Sequence, residues 1–129
     1  MTDRKNFSSG APWENIVGYS RAVRIGHILE LSGTTSIKNG QVIYKRDPYL
    51  QTKQIINIAQ DVILQAGGTL SDVIRTRMYV TDISNWEAIG KAHGEFFRDI
   101  KPVTTMVEVS QLIDSDMLVE IEFTAYLRG

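Results

Sequence analysis

The sequence predicts an α+β fold in which two helices cover one face of a mixed β-sheet. Segments of alternating polarity and two segments of helical periodicity follow one another as strands, helix, strand, helix, strand, strand. Each helix leads into a strand, so both helices should cover the same face of one sheet, as a two-layer sandwich. With 129 residues, 43% of them hydrophobic and 22% charged, the chain fits one ordinary core, and we expect a single domain over residues 1–129.

The first helix is predicted between Asp47–Pro48 and Gly67–Gly68. Proline suits the first turn of a helix because its missing N–H would have no partner there. The apolar residues between these signals recur at helical spacing, namely Ile55, Ile56, Ala59, Val62, Ile63 and Ala66. The glycine pair follows this helix, so it is better interpreted as a C-terminal cap than as a phosphate-binding loop.

The second helix is predicted to begin at a capping box, Ser84–Glu87, in which Ser84 caps the helix and Glu87 reaches back. Pro102 prevents this helix from continuing into the next strand. One face would carry Trp86, Ile89, His93 and either Phe96 or Phe97.

The remaining periodic segments are predicted strands. An Asn39–Gly40 pair indicates a tight turn, and Gly26 should join two neighbouring strands. The predicted strands are Ser20–Ile25, His27–Ser32, Gln41–Tyr44, Val73–Val80, Thr104–Val109 and Met117–Leu127.

Alternation along these strands predicts one apolar and one charged sheet face. In the strand over 73–80, the apolar face would carry Ile74, Thr76, Met78 and Val80. The charged face would carry Arg75, Arg77, Tyr79, Thr104, Met106, Glu108, Glu120, Glu122, Thr124 and Tyr126. Such a face could be solvated and laced with weak ion pairs. The mixture of Met106 and Tyr126 with paired charges favours burial against another subunit instead.

Composition excludes several classes of site. A net charge of −1 without a basic run argues against nucleic acid as an obligate partner. The chain has no cysteine, and its two histidines, His27 and His93, lack ligand-like spacing, so we expect no metal site. No segment has the length and apolarity of a signal peptide or membrane span. We therefore expect a soluble cytoplasmic protein with residues 1–14 as a short leader, free to be mobile.

Five motifs together resemble the Rid family, the reactive intermediate deaminases or YjgF-like proteins. They are Tyr19–Gly26, Leu31–Thr34, Arg75–Asp82, Pro102–Val109 and Val119–Ala125, and they occur in the family's order and spacing. The resemblance implies a chorismate-mutase-like fold, a homotrimer with a central β-barrel, and ligand clefts between neighbouring subunits. It also implies hydrolysis of enamines or imines to a carbonyl compound and ammonia, without a metal or an organic cofactor.

The resemblance also implies a set of cleft residues. The family's motif positions fall on Tyr19, Ser32–Gly33, Met106 and Glu120, with Glu120 holding the attacking water and backbone groups around Thr105–Met106 orienting the substrate. Ion pairing of Glu120 with Arg75 or Arg77 is the alternative. A cleft asparagine of the family falls on Gly90, and nearby His93 is either a cleft residue or a packing residue.

Thr104 occupies the position of the family's carboxylate-binding arginine. A threonine offers one neutral hydroxyl in place of a charged, bidentate fork, so simple 2-iminoacids are not expected substrates. An uncharged or bulkier imine or enamine is therefore the favoured substrate. A trimeric small-molecule binder without catalysis is the alternative, and a ribonuclease or translation inhibitor is a weaker one, because the chain lacks a basic groove.

Overall fold

The computed structural model describes residues 4–129 and shows the predicted α+β architecture. The strands are β1 (Arg4–Phe7), β2 (Ala22–Ile25), β3 (Ile28–Thr34), β4 (Ile37–Lys38), β5 (Gln41–Val42), β6 (Val73–Val80), β7 (Val103–Glu108) and β8 (Val119–Tyr126). The helices are α1 (Pro48–Gln65) and α2 (Trp86–Phe97), with short helical turns at Glu14–Gly18, Leu70–Asp72 and Ile83–Asn85. None of the helices in this range is both long and apolar enough to span a membrane.

The main sheet has six strands in the order β1-β2-β3-β8-β6-β7. Neighbouring strands run antiparallel except β6 and β7, which are parallel and are connected through α2. Strands β4 and β5 form a separate hairpin. Its turn is the predicted Asn39–Gly40 pair, with φ angles of 53° and 77°, and the paired segment ends at Val42 rather than at the predicted Tyr44.

Strand β1 lies within residues 1–14, which the sequence predicted to be a leader. Residues 4–7 pair antiparallel with β2, with Arg4 opposite Ile25 and Phe7 opposite Ala22. A strand at a sheet edge forms backbone hydrogen bonds on only one side. Four residues are also too few to show a clear alternation of polar and apolar side chains. Part of residues 1–14 therefore belongs to the sheet.

Helix α1 agrees closely with its sequence signals. Asp47 caps it, because the carboxylate accepts a 2.9 Å hydrogen bond from the Leu50 backbone N–H, and Pro48 is its first residue. Gly67 ends it with a φ angle of 99°. The predicted stripe is buried against the sheet, where its partners include Leu29, Ile121, Phe123 and Ala125.

Helix α2 begins differently from the prediction. Asp82 caps the preceding turn by accepting from the Ser84 N–H and hydroxyl at 2.9 and 2.6 Å, so Ser84 is not the helix cap. The helix itself begins at Trp86, whose side chain is 56% exposed and does not continue the apolar face. The predicted Ile89 and Phe97 are buried on that face, together with Ala92.

One face of the sheet is covered by the two helices and is called the closed face; the other is called the open face. The closed face packs against α1 and α2, and its β6 residues are Thr76, Met78 and Val80, as predicted. Ile74 is 47% exposed, because a register shift between Val73 and Arg75 brings Val73 into the core in its place. The open face carries Arg75, Arg77, Tyr79, Glu120, Glu122 and Tyr126, also as predicted.

The predicted face of Thr104, Met106 and Glu108 is wrong. In the parallel ladder Thr104 pairs with Thr76 and Met106 with Met78, so these β7 side chains lie on the closed face. Met106 packs at the margin of the core, and Glu108 accepts a hydrogen bond from the Ile83 N–H. The open face of β7 carries Val103, Thr105 and Val107, two of which are exposed apolar residues.

Candidate functional site

A β-bulge on the open face brings together three of the predicted site residues, Ser32, Gly33 and Glu120. The register of β3 against β8 shifts between Leu31 and Thr34, so Ser32 and Gly33 leave the regular ladder. Both are half-buried, and the Glu120 side chain of β8 lies against them. Tyr19, which ends the turn over 14–18, lines a groove together with Ser32.

Arg21 holds the bulge in place. Its Nη2 donates to the carbonyl oxygens of Ser32 and Gly33 at 2.7 and 2.8 Å, and it contacts the hydroxyls of Ser32 and Thr34 at 2.5 and 3.0 Å. A guanidinium can satisfy several carbonyl groups that a bulge removes from the ladder. Burial lowers the pKa of Arg21 from its usual value. Sequence reasoning gave Arg21 no role, although an arginine in a half-buried strand was a signal that such a partner was needed.

Gly33 makes room for the Glu120 carboxylate. A Cβ atom at position 33 would lie 1.9 Å from Glu120 Oε2 and 2.8 Å from its Cδ. The absence of a side chain therefore lets the carboxylate rest directly on the Gly33 backbone. This contact gives a physical reason for the Ser–Gly pair that the sequence motif contains.

Glu120 is the carboxyl group of this cluster, and it is half-buried. Burial raises the pKa of its carboxyl, the neighbouring Glu122 raises it further, and Arg21 opposes both effects. A carboxyl held in this way keeps its proton at a higher pH than an ordinary glutamate does. Such a group is suited to exchange protons with a bound water or amine.

A groove of about 720 Å³ lies beside this cluster on the open face. Its wall includes Glu14, whose carboxylate accepts hydrogen bonds from the hydroxyls of Ser8 and Ser9 and from the Ser9 N–H. The Ser9 hydroxyl, first among these partners, lowers the pKa of Glu14. Other residues that line the groove are Arg4, Asn6, Tyr19, Glu30, Ser32, Arg77 and Glu122. The groove therefore mixes acids with arginines rather than presenting one basic surface.

Glu122 is a structural partner of the β6 strand, as the sequence suggested for the acids of β8. Its Oε1 accepts a 2.9 Å hydrogen bond from the Tyr79 hydroxyl and lies 3.9 Å from Arg77 Nη1. This hydrogen bond raises the pKa of Tyr79. Glu120 has no ion pair with Arg75 or Arg77 among the described contacts, so the two neighbouring glutamates have different environments.

Four further predicted site residues, Gly90, His93, Thr104 and Met106, lie on the closed side, at the edge formed by α2 and β7. Thr76 Oγ1 contacts His93 Nε2 at 2.9 Å and Thr104 Oγ1 at 2.8 Å, which makes a continuous chain of three side chains. Burial lowers the pKa of His93 to about 4. Thr104 is exposed, and a Cβ atom at Gly90, one helical turn from His93, would meet no atom within 4 Å.

Thr76 was missed as a site residue. The sequence placed it correctly on the apolar face, but a buried hydroxyl among Met78 and Val80 needs a hydrogen-bond partner, and that requirement was the available signal. Within one chain, the predicted site is thus divided. Tyr19, Ser32, Gly33 and Glu120 lie on the open face, with Thr105 of β7 on the same side, whereas Gly90, His93, Thr104 and Met106 lie on the closed side.

Comparisons with known proteins agree on one family. Residues 10–127 match the family model described as Endoribonuclease L-PSP. An uncharacterized protein of Streptomyces coelicolor is 38% identical over 122 residues, with 95% of this chain and 91% of the relative covered.

Two solved structures show the same fold over nearly the whole chain. A member of the YjgF/YER057c/UK114 family from Mycobacterium tuberculosis has a TM-score of 0.88 and 46% identity, covering 97% of this chain and 100% of that one. A Rid family protein of unknown function from Yersinia pestis has a TM-score of 0.84 and 30% identity, covering 96% of this chain and 99% of that one.

Proposed function

The chain belongs to the Endoribonuclease L-PSP family, which includes the YjgF and Rid proteins, and we propose that it hydrolyses reactive imines or enamines. The products would be a carbonyl compound and ammonia. The substrate would be uncharged at the position where the family's deaminases bind a carboxylate. Catalysis would take place in clefts between the subunits of a homotrimer.

The observation that carries this proposal is the Glu120 carboxylate, half-buried against Gly33 and with a raised pKa. In imine hydrolysis, water adds to the C=N carbon and gives a carbinolamine. Ionised Glu120 would accept a proton from that water and donate it to the nitrogen, which completes the carbinolamine; the carboxylate would then accept the carbinolamine hydroxyl proton and donate it to the amine nitrogen, so that the C–N bond breaks, ammonia leaves and the C=O bond forms. One carboxyl group can perform both transfers, since its pKa is raised above that of an ordinary glutamate.

The bulge would orient the substrate beside Glu120. Arg21 fixes the Ser32 and Gly33 carbonyls, so the Ser32 hydroxyl and the Tyr19 ring would have defined positions at the groove. Pre-positioned groups of this kind lower the barrier because they need no rearrangement during the reaction. We therefore assign Glu120 as the catalytic residue, with Tyr19, Ser32 and Gly33 as substrate-binding residues.

The homotrimer is supported by the division of the site between two faces. A substrate on one isolated chain would touch either the Glu120 cluster or the Thr104 edge, whereas a cleft between two subunits can combine one of each. The open face also mixes exposed Val103, Val107 and Tyr126 with the Arg77–Glu122 pair. Such a surface is typical of a face that another subunit covers.

The test uses imines generated in solution and trapped by semicarbazide. An amino-acid oxidase supplies 2-iminoacids, and a flavin amine oxidase acting on benzylamine supplies an uncharged imine. We expect the protein to compete with semicarbazide for the uncharged imine, and Glu120→Gln to reduce that competition about 100-fold or more. Glu95→Gln is the matched control, because Glu95 bonds Tyr49 on the helical side of the molecule.

The outcomes separate the remaining functions. Failure to accelerate hydrolysis of either imine would contradict the enzyme proposal and leave a trimeric small-molecule binder. A monomer in solution, measured by light scattering at micromolar concentration, would contradict the shared cleft. Cleavage of single-stranded RNA is not expected, because Glu14, Glu30 and Glu122 line the groove beside its arginines.

A further inference from the structure

We propose that His93, Thr76 and Thr104 form an uncharged hydrogen-bond relay that selects ligands carrying a neutral polar group, such as an amide, over ligands carrying a carboxylate. The inference deepens the proposed function and rests on its cleft, since it names the substrate class. Its test measures binding and does not require turnover.

The relay is defined by two short contacts. Thr76 Oγ1 lies 2.9 Å from His93 Nε2 and 2.8 Å from Thr104 Oγ1, and Thr76 is fully buried. Thr104 is the exposed end of the chain, and its hydroxyl also lies 3.4 Å from the Pro102 carbonyl oxygen. The exposed hydroxyl is therefore connected, through a buried one, to a histidine ring that is itself mostly buried.

The relay has two possible directions. If His93 carries its proton on Nδ1, Thr76 donates to Nε2, Thr104 donates to Thr76, and the outer lone pairs of Thr104 accept from a ligand. If the proton is on Nε2, His93 donates to Thr76, Thr76 donates to Thr104, and the Thr104 hydroxyl is free to donate to a ligand. The tautomer of His93 therefore decides whether Thr104 acts as a donor or as an acceptor.

The ring environment keeps the relay neutral in both directions. His93 packs against the Phe97 ring with centroids 4.6 Å apart, and its burial disfavours the charged imidazolium. A neutral relay can satisfy the C=O or the N–H of an amide. It offers a carboxylate no positive charge to replace the water that the anion loses on binding.

Space for such a group is present beside the relay. Gly90 lies one helical turn before His93, and a Cβ atom there would meet nothing within 4 Å. A ligand amide at Thr104 would therefore meet no side chain from position 90 of α2. The chemistry that fits is a carbonyl compound or imine whose adjacent carbon bears an amide, a ketone or a hydroxyl.

The experiment compares pyruvamide and pyruvate, two product-like probes that differ only in the amide or carboxylate next to the ketone. Titrations followed by NMR should show pyruvamide binding about tenfold or more tightly than pyruvate. Thr76→Val removes the central hydroxyl at nearly constant volume and should weaken pyruvamide binding about three- to tenfold. Thr52→Val, a buried threonine of α1 that bonds the Pro48 carbonyl, should leave both affinities unchanged.

A second measurement does not depend on a variant. Long-range ¹H–¹⁵N spectra report which nitrogen of His93 carries the proton, and we expect pyruvamide to shift the tautomer populations in the wild-type protein. Tighter binding of pyruvate, or a His93 signal unchanged at saturating pyruvamide, would overturn the relay. If imine hydrolysis fails but the amide preference and the tautomer shift are observed, the relay stands in a binding protein.

Discussion

The closed and open faces of the sheet differ in how their side chains are covered. Both faces belong to the same strands, and on β8 they carry neighbouring residues, Phe123 and Glu122. The closed face buries its apolar side chains under two helices of the same chain. The open face leaves paired charges and exposed Tyr126 without cover among the described residues. Stability is therefore concentrated on one face, and the candidate chemistry largely on the other.

This difference shows why the two faces should respond differently to substitution. A closed-face side chain has its packing partners within the chain, so its removal is expected to reduce the free energy of unfolding directly. An open-face side chain is expected to alter activity or assembly while the chain still folds. The largest effect on stability is expected in the core of the closed face.

Phe123→Ala should reduce the free energy of unfolding by about 3–5 kcal/mol, because the ring is fully buried in the core. Tyr126→Ala, three residues along the same strand, should cost about 1 kcal/mol or less in the isolated chain, since Tyr126 is 47% exposed. Urea denaturation measures both values. Equal losses would mean that the two faces do not differ in stability.

Gly33→Ala should reduce imine hydrolysis about 100-fold with little loss of stability. The new methyl group would occupy the position of the Glu120 carboxylate, which is the end of a flexible side chain and can move away. Activity and thermal unfolding are measured on the same samples. Gly94→Ala is the control, because the new Cβ atom would lie 4.0 Å from Arg98 Nη2, at the end of a flexible side chain. Retained activity would show that imine hydrolysis does not depend on the position of the Glu120 carboxylate.

His93 should make stability depend on pH below neutrality. Its pKa is about 4 in the folded chain and about 6.5 when unfolded, so the unfolded chain binds more protons between these values. Stability is therefore complete above about pH 6.5 and is lost as the pH falls towards 4. Allowing for partial exposure of the ring, the loss should be about 1–2 kcal/mol. His93→Phe should flatten this part of the curve in urea titrations; an unchanged slope would refute the assignment.

The smallest effect is expected at the open-face ion pair. Arg77 and Glu122 are both more than a third exposed and lie 3.9 Å apart, so Arg77→Met should change the stability of an isolated chain by less than about 1 kcal/mol. In a trimer that buries this face, the same substitution should shift the concentration at which subunits assemble. Sedimentation at several protein concentrations shows whether assembly shifts. An unchanged assembly would mean that the Arg77–Glu122 pair is exposed to solvent and not buried between subunits.

Local signals predicted most of the fold. Asp47, Pro48 and Gly67 define α1 through backbone geometry that depends on those residues alone, and the Asn39–Gly40 turn needs only its two positive φ angles. Alternation assigned the faces of β8 correctly, because its pattern is continuous over eight residues. Strand β1 was not predicted, since four residues at an edge carry too little pattern to be distinguished from a leader.

The errors have a common cause in contacts distant in sequence. Ile74 follows strict alternation in the sequence, but the register shift against β8 displaces it from the core. Thr104 and Met106 were assigned a face without knowledge of how β7 is aligned to β6. The hydrogen bonds of Arg21 to the Ser32 and Gly33 carbonyls likewise depend on the bulge in β3, which no local sequence signal indicated. Of the candidate site residues, Thr104 and Met106 were therefore placed on the wrong face, and the functional roles of the candidates stay predictions.

The parallel pairing of β6 and β7 has a consequence for how this sequence can diverge. Thr104 contacts Thr76 of β6 and, through it, His93 of α2, whereas β7 does not pair with β8, so we expect a change at position 104 to affect α2 more than β8. Substitutions at 76, 93 and 104 should thus covary among relatives, while Glu120 varies independently of them. Under the proposed function, ligand preference could then be inherited separately from Glu120, so that one scaffold would acquire new ligands without a change of its carboxylate.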